Sequence, residues 1–226
     1  MSVGAPASLF DEALGLLTAL IRIDTTNPPG NELPAAELLA EYFRGAGLEP
    51  VILESAPGRG NLVVRVRGDG SQAPLLLTGH LDVVPAEAAS WTHPPFSGDI
   101  ADGCVWGRGA LDMKNTVAQQ LTVMLLLKRE GVQLKRDLIF AATADEEIGG
   151  EDGCGMAWLV KHHPDLLRAE FGLTEVGGYN MEFAGKHIFP IQVAEKGTCW
   201  LKLRAKGRPG HGSMPHDSKT HGRHQD

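Results

Sequence analysis

The sequence lacks the features that mark several common protein classes. Its 226 residues include three cysteines that are far apart and form no CxxC pair, which argues against a disulfide framework and a thiolate zinc site. A reducing compartment is the simplest interpretation. The longest apolar run, near 121–127, is too short to span a bilayer, and the first residues lack the positive stretch of a signal peptide. We therefore expect a cytoplasmic protein with no membrane partner.

Positive charge is also scarce. The chain has 21 Lys and Arg against 28 Asp and Glu, which gives a formal net charge of -7. A broad nucleic-acid surface is therefore not expected. Apolar residues make up 42% and charged residues 22%, as in ordinary globular proteins, and the chain is long enough to bury a sizeable core.

The hydrophobic pattern changes between helical and strand periods along the chain. Helices are predicted over 8–23, 33–45, 113–130 and 152–163. Strands are predicted over 61–68 (half exposed), over 74–79, 137–144 and 170–175 (buried), and over 198–207. The stretch 85–107 is predicted to be a long loop with a short strand near 104–108. Alternating strands and helices favour an α/β fold with a mostly parallel mixed sheet flanked by helices on both faces.

Polar side chains follow each of the three predicted buried strands. His80 and Asp82 follow the first, Glu146 and Glu147 the second, and Glu175 the third. Because the carboxyl ends of strands in an open α/β sheet share one crevice, we expect these side chains to converge.

Asp112 is expected to join this group, because it lies after the glycine-rich stretch "WGRGAL" at the start of a predicted helix. Several carboxylates cannot share a crevice as bare anions, so either some are protonated or cations lie between them. One histidine with several acids suits a divalent metal, and two metals suit it better.

The spacings suggest a division of roles around such a metal. Asp82 lies two residues after His80 and so points the same way along an extended chain, where it can hold the second ring nitrogen. Glu146 and Glu147 are neighbours whose side chains diverge, so one can bind metal while the other is a general base. Each motif alone also has a simpler interpretation: a satisfied polar residue at a strand end, a solvated acidic turn, or a helix cap for Glu175.

The motifs together resemble a known family. They are "LLLTGHLDVVP" (75–85), "WGRGALDMKN" (106–115), "ADEEIGG" (144–150), "TEVGG" (174–178) and "GRPGHGSMP" (207–215). In this order they resemble the co-catalytic zinc hydrolases, which include acetylornithine deacetylase, succinyl-diaminopimelate desuccinylase, aminoacylase and carboxypeptidases G and S. The resemblance extends over about residues 10–216.

The resemblance implies a zinc pair. His80, Asp112 and Glu175 would hold one ion, and Asp112 would bridge to a second ion that Glu147 also binds. Co²⁺ or Mn²⁺ would be substitutes for Zn²⁺ in such a site.

The resemblance also implies catalytic roles. Glu146 would be the general base, Asp82 would orient His80, and His211 in the lid domain would stabilise the oxyanion. A cis peptide bond is implied between Asp112 and Met113. The activity implied is hydrolysis of N-acyl amino acids or small peptides that carry a free carboxylate.

The resemblance covers the first half of a family member. We expect residues 1–196 to be part of the catalytic domain, 197–215 to begin the lid, and 216–226 to be an unstructured stub. The family's last histidine ligand and most of the lid, through which relatives form homodimers, have no counterpart. Two alternatives therefore stay open: a truncated inactive remnant, or a split half that needs a second chain.

Overall fold

The computed structural model describes residues 8–149, 153–175, 180–191, 193–194, 197, 201–204, 206 and 213. The chain divides into two compact units, Met1–Val176 and Gly177–Asp226. The first unit contains every candidate metal-binding residue from His80 to Glu175.

The elements of the described residues follow in chain order. The strands are β1 (Val51–Glu54), β2 (Gly60–Val66), β3 (Leu75–His80), β4 (Asp99–Ala101), β5 (Cys104–Trp106), β6 (Leu138–Thr143), β7 (Phe171–Leu173), β8 (Met181–Phe183) and β9 (Lys186–Ile188). The helices are α1 (Leu9–Ile21), α2 (Leu33–Gly45), α3 (Lys114–Arg129), α4 (Met156–His162) and α5 (Pro164–Leu167), with one 3-10 turn at Ala88–Ser90.

Five of these strands form one mixed sheet in the order β1-β2-β6-β3-β7. Strand β3 runs parallel to both β6 and β7, and His80 at its end lies opposite Thr143. Strands β1 and β2 are antiparallel to their neighbours. The predicted α/β fold with a mixed sheet is confirmed, with the parallel part confined to β6, β3 and β7.

Helices cover both faces of this sheet because successive residues of its central strand β6 are apolar and point to opposite faces. Phe140 and Ala142 of β6 pack with α1, α2 and α3 in the larger core. Ile139 and Ala141 of the same strand face α4 and α5 in a smaller core. Burying one large apolar side chain contributes about 1.5–3 kcal/mol, so both cores hold the central strands in place.

Local sequence explains where α1 begins, and a contact between distant residues holds the start of α3. The Ser8 hydroxyl accepts a hydrogen bond from the Asp11 N–H, and the Asp11 carboxylate accepts one from the Ser8 N–H, a capping box at the start of α1. At the start of α3, the buried Lys114 ammonium donates to the carbonyl oxygens of Leu20 (3.0 Å) and Ile23 (2.9 Å), which ties α3 to the end of α1. Among the described residues, no helix has the length and apolar character needed to cross a membrane.

Two predictions of strand burial are wrong. The strand predicted over 170–175 is exposed rather than buried, with Phe171 58% and Leu173 55% accessible. It lies at the edge of the sheet and pairs, among the described strands, with β3 alone. The strand predicted over 61–68 is buried over residues 60–64 rather than half exposed, because β2 lies between β1 and β6.

Other boundaries also differ from prediction. Helix α4 begins at Met156 instead of 152, after Gly155, whose φ of -102° and ψ of -124° are not helical. The loop 85–107 contains a hairpin of β4 and β5 rather than one strand. Residues 201–204, the main described part of the strand predicted over 198–207, lie outside any strand. Strands β1, β8 and β9 were not predicted.

Candidate metal centre

His80 lies at the carboxyl end of the central strand β3, with its imidazole almost fully buried. The preceding residue is a glycine for a steric reason. A Cβ on Gly79 would lie 2.8 Å from the Val117 side chain and 2.9 Å from that of Met113. The absence of a side chain at this position therefore brings the strand close to the start of α3, immediately after Asp112.

Both ring nitrogens of His80 face oxygen atoms. Nδ1 lies 2.9 Å from the backbone carbonyl oxygen of Asp82 and 3.4 Å from its carboxylate. Nε2 lies 2.9 Å from the Asp112 carboxylate, 3.6 Å from that of Glu175 and 3.8 Å from that of Glu146. The structure thus brings together acids from three separate segments around one imidazole nitrogen, and Asp82 holds the other nitrogen mainly through its backbone.

Two sets of side chains at this place could each hold a cation. In one set, ligand atoms of His80, Glu146 and Glu175 lie within 4.8 Å of one another. In the other set, ligand atoms of His80, Asp112 and Glu147 do so. This grouping differs from the one that the resemblance implies, because the expected base Glu146 lies in a ligand set here.

The pKa values show that these side chains share one electrostatic environment. Burial lowers the pKa of His80, but the hydrogen bond and charge of Asp82 and the charge of Glu175 outweigh it and raise the pKa to about 10. Burial raises the pKa of Glu175 to about 7, and the neighbouring acids Asp112 and Glu146 contribute to the rise. These shifts are those expected where negative charge is crowded.

Among the described residues, His80 is the basic side chain that pairs with these acids. Burial, and then the charge of Asp112, raise the pKa of Glu147. No described Lys or Arg side chain forms an ion pair with Asp112, Glu146, Glu147 or Glu175. Imidazole nitrogen and carboxylate oxygen are ligands that zinc accepts, and the crowded charge favours a divalent ion. The residues present therefore fit a divalent metal.

Asp82 links His80 to the turn that carries the two glutamates. Its buried carboxylate accepts hydrogen bonds from the backbone N–H groups of Glu146 (3.0 Å) and Glu147 (3.1 Å) and from the side-chain amide of Asn27 (2.8 Å). Burial opposes ionisation, but the bonds from His80, Asn27 and the Glu146 N–H hold the pKa of Asp82 below its usual range. One carboxylate thus orients three residues of the site.

Residues behind Asp82 were not predicted as part of the site. Asn27 also donates to Asp145 (2.9 Å), which accepts a further bond from Arg59 (2.9 Å). Arg59 is held in turn by the fully buried Glu32, at 2.8 and 2.9 Å. Asp145 adjoins the glutamates in sequence, but the other three come from distant segments, and no local pattern relates them to the site.

A cleft of about 300 Å³ opens beside the centre. Asp112 and Glu147 contribute to its wall, together with Trp91, Trp106 and Arg108. The Arg108 guanidinium lies 5.3 Å from the centroid of the Trp91 ring. The cleft therefore offers aromatic surface and a cation next to the acidic cluster.

Two further expectations concern the surroundings of the centre. The peptide bond between Asp112 and Met113 is cis, as the resemblance implies. His211 lies outside the described residues, as do most of 197–215 and all of 216–226. The role of His211 and these domain boundaries stay predictions.

Comparisons with known proteins agree with these motifs. Residues 76–199 match the sequence model described as Peptidase family M20/M25/M40. The chain is 35% identical over 202 residues to Aminoacylase-1 of Sus scrofa, which covers 88% of this chain and 48% of the relative. It is also 35% identical over 216 residues to succinyl-diaminopimelate desuccinylase of Methylorubrum populi, and this alignment covers 92% of this chain and 53% of the relative.

The fold also matches a solved structure. The crystal structure of an M20 family metallo-carboxypeptidase from Sulfolobus solfataricus aligns with a TM-score of 0.64 and 23% identity. The alignment covers 74% of this chain and 38% of that one. The chain spans about half the length of the curated relatives named above.

Proposed function

Because the chain belongs to peptidase family M20/M25/M40, we propose that it is a zinc-dependent hydrolase of amide bonds in N-acyl amino acids or small peptides. The observation that carries the proposal is the meeting of three carboxylates from separate segments within 4 Å of His80 Nε2. An aminoacylase and a desuccinylase among the relatives support N-acyl substrates.

Four side chains are the proposed metal ligands. In this proposal His80, Asp112 and Glu175 would hold one zinc ion, and Asp112 and Glu147 would hold a second. Zinc, when bound, polarises the scissile carbonyl and lowers the pKa of water to about 7. Ligand atoms of His80 and Glu175 lie near each other in one set, which also includes Glu146, and those of His80, Asp112 and Glu147 lie together in the other, which supports this assignment.

Glu146 is the proposed general base. Its side chain is 54% exposed, so it can reach solvent and substrate, while its backbone N–H is fixed by Asp82 at 3.0 Å. It takes the proton of the attacking water and delivers it to the leaving amine nitrogen. Proton transfer of this kind contributes about 10²–10⁴-fold to the rate. His211 is proposed to stabilise the oxyanion.

The cleft beside Asp112 and Glu147 is the proposed substrate site. Its volume of about 300 Å³ is at the lower end of the range for ligand pockets, which suits an acylated amino acid or dipeptide with a free carboxylate. Trp91 and Trp106 supply apolar contact at its wall.

The remaining expectations extend this proposal. They are the catalytic and lid boundaries at residues 196 and 215, zinc rather than Co²⁺ or Mn²⁺, a homodimer through the lid, and a cytoplasmic location. No nucleic-acid partner is proposed, since the net charge is -7.

Zinc content and hydrolysis of N-acetyl amino acids and dipeptides, measured on the same preparation, test the proposed function. We expect bound zinc and turnover in the wild-type chain. Glu146→Gln should keep the zinc and lose turnover by at least about 100-fold, because it removes the base but no ligand of the proposed pair. Undiminished turnover in this variant contradicts the base assignment, and a zinc-free wild-type chain contradicts the proposal.

A second candidate function is metal binding without turnover by these 226 residues alone. It is favoured by the exposed apolar residues of the edge strand β7, Phe171 and Leu173, which further chain could cover. A full zinc complement without hydrolysis, followed by hydrolysis on adding the carboxyl-terminal half of a relative, would support a split half. Zinc binding with no such rescue would support an inactive remnant.

A further inference from the structure

We infer that Asn27, together with Asp145 and Arg59, forms a positioning unit that sets the geometry of the metal centre by acting through Asp82. The inference rests on the proposed function, because it assumes that the centre binds metal. It assigns a role to residues that neither touch the ligand atoms nor line the cleft described above.

The Asn27 side chain is a two-pronged donor between two carboxylates. Its Nδ2 lies 2.8 Å from Asp82 Oδ2 and 2.9 Å from Asp145 Oδ1, so each amide hydrogen serves one acid. Without that nitrogen, two buried or part-buried anions would face each other. A hydroxyl side chain has one hydrogen and could serve one acid only.

The backbone around Asn27 is also fixed next to the site. Its N–H donates to the carbonyl oxygen of Val83 at 2.9 Å, and the Val83 N–H donates to Thr25 at 3.2 Å. Thr26 forms a parallel bridge with Val83. The segment 25–27 therefore runs beside the residues that follow His80, and the amide is held at a fixed distance from Asp82.

Asp145 transmits this constraint to the glutamates. Its φ is +62°, in the left-handed region that non-glycine residues rarely adopt. Its carboxylate accepts bonds from Asn27, from Arg59 (2.9 Å) and from the Cys154 N–H (2.8 Å), which together hold this conformation. Because Asp145 directly precedes Glu146, its backbone angle sets the direction in which the acidic turn leaves β6.

Arg59 fixes the outer end of the unit. Glu32 binds its guanidinium through both carboxylate oxygens, at 2.8 and 2.9 Å, and is fully buried. Gly30 leaves the necessary space, because a Cβ there would collide with the guanidinium. Charges alternate along the unit from Glu32 to Arg59 to Asp145, so that each acid has Arg59 as its partner, and the Asn27 amide separates Asp145 from Asp82. The arrangement fixes Asp82 without adding an unpaired charge to the centre.

Co²⁺ binding to the full chain tests the inference, because its visible spectrum reports ligand geometry and does not require turnover. The variants are Asn27→Ala, which deletes both donors, and Asn27→Asp, which replaces them with a third carboxylate at nearly constant volume. We expect Co²⁺ affinity to fall about 10–100-fold in Asn27→Ala, the range typical for residues that orient metal ligands. The Co²⁺ affinity of Asn27→Asp should fall further, and the Co²⁺ spectra of both variants should differ from that of the wild-type chain.

Asp137→Asn is the matched control, since it removes the charge of another carboxylate that arginine binds, at the opposite end of β6. It should lower Tm and leave Co²⁺ affinity and spectrum unchanged. A merely structural role for Asn27 predicts this same pattern. Folded Asn27→Ala chain with wild-type Co²⁺ affinity and spectrum therefore overturns the inference.

Arg59→Lys is the second variant, in case Asn27→Ala does not fold. Lysine keeps the charge but loses the forked contact with Glu32, so we expect a folded chain with several-fold weaker Co²⁺ binding. Wild-type binding in this variant, or failure of both variants to fold at low temperature, overturns the inference. A wild-type chain that binds no Co²⁺ overturns the proposed function itself.

Discussion

The two ends of strand β6 both carry a carboxylate held by arginine, but what lies beyond each carboxylate differs. At the amino end, Asp137 accepts bonds from Arg65 (3.0 Å), Arg67 (2.9 Å) and the Gly68 N–H (2.8 Å). At the carboxyl end, Asp145 is bound by Arg59, and an acidic cluster follows. The first end satisfies its negative charge within the chain, and the second end does not.

The pKa values make the same distinction. Burial opposes ionisation of Asp137, but the Gly68 N–H and the two arginines hold its pKa below the usual range. In the acidic cluster, burial raises the pKa of Glu147 and raises that of Glu175 to about 7. Asp137 thus has its partners already present, whereas burial and then neighbouring acids act on Glu147 and Glu175. Such crowding in a cleft is typical of functional sites.

Removing the shared imidazole gives the largest expected effect. His80→Ala should weaken zinc binding by more than about 100-fold, since losing a ligand costs more than losing a residue that orients one. Metal analysis after dialysis against a chelator measures this loss. Asp137→Asn, at the other end of β6, should retain its zinc. Equal zinc contents in His80→Ala and wild-type chain would remove His80 from the centre and with it the contrast between the two ends.

The corresponding experiment at the amino end of β6 measures stability instead of zinc binding. Asp137→Asn should lower the free energy of unfolding by about 1–3 kcal/mol, because it leaves Arg65, which is 20% exposed, without its ionic partner. Urea denaturation of the zinc-free chain measures the change. Zinc affinity should stay at the wild-type value. Loss of affinity would mean that the two ends of the strand are coupled, and that the amino end is not purely structural.

The sequence was a good guide to this contrast at one end only. Three apolar strands ending in His80, Glu146 and Glu175 predicted a shared crevice, because parallel strands place their carboxyl ends at one edge. The amino end carries no such signal, since Asp137 and its arginines are ordinary charged residues until the register of β2 against β6 brings them together.

What the sequence did not predict depends on contacts between distant segments. Asp145 contacts Asn27 and Arg59, and Arg59 contacts Glu32. These residues are too far apart in sequence for a helical or strand period to relate them. The exposure of Phe171 likewise follows from the edge position of β7, which is a property of strand order and not of the apolar run itself. Local pattern thus predicted which elements form, whereas their order in the sheet decided which residues meet or remain uncovered.

His80 and Asp137, at opposite ends of β6, should contribute to stability in opposite pH ranges. The pKa of His80 is raised from 6.5 to about 10, so its contribution to stability is complete below pH 6.5 and is lost as pH rises through 10. The pKa of Asp137 is below its usual 3.8, so its contribution is present above 3.8 and is lost as pH falls through the lowered value. The Tm of chelator-treated chain should therefore fall on both sides.

Variants separate the contributions to that profile. Asp137→Asn should reduce the fall on the acid side, to which Asp82 and Asp145 also contribute through their lowered pKa values, and should leave the alkaline side unchanged. His80→Ala should flatten the alkaline side and also change the acid side, because His80 helps to lower the pKa of Asp82. Added zinc should restore Tm on the alkaline side, because metal replaces the proton on the imidazole, and zinc at 100 times its Kd adds about 2.7 kcal/mol. If Tm still fell at alkaline pH in His80→Ala, that fall would have to come from groups other than His80.

The smallest expected effect comes from the second arginine at the amino end. Arg67 binds Asp137 at 2.9 Å, but its side chain is 78% exposed, whereas that of Arg65 is 20% exposed. Exposed ion pairs contribute about 0–1 kcal/mol, so Arg67→Ala should change the free energy of unfolding by less than about 1 kcal/mol. Urea denaturation at low and high salt measures it, and salt should abolish the difference. If Arg67→Ala lowered the free energy of unfolding as much as Asp137→Asn does, Asp137 would need both arginines. Its short contacts with Arg65 and Gly68 would then not be enough to satisfy its charge.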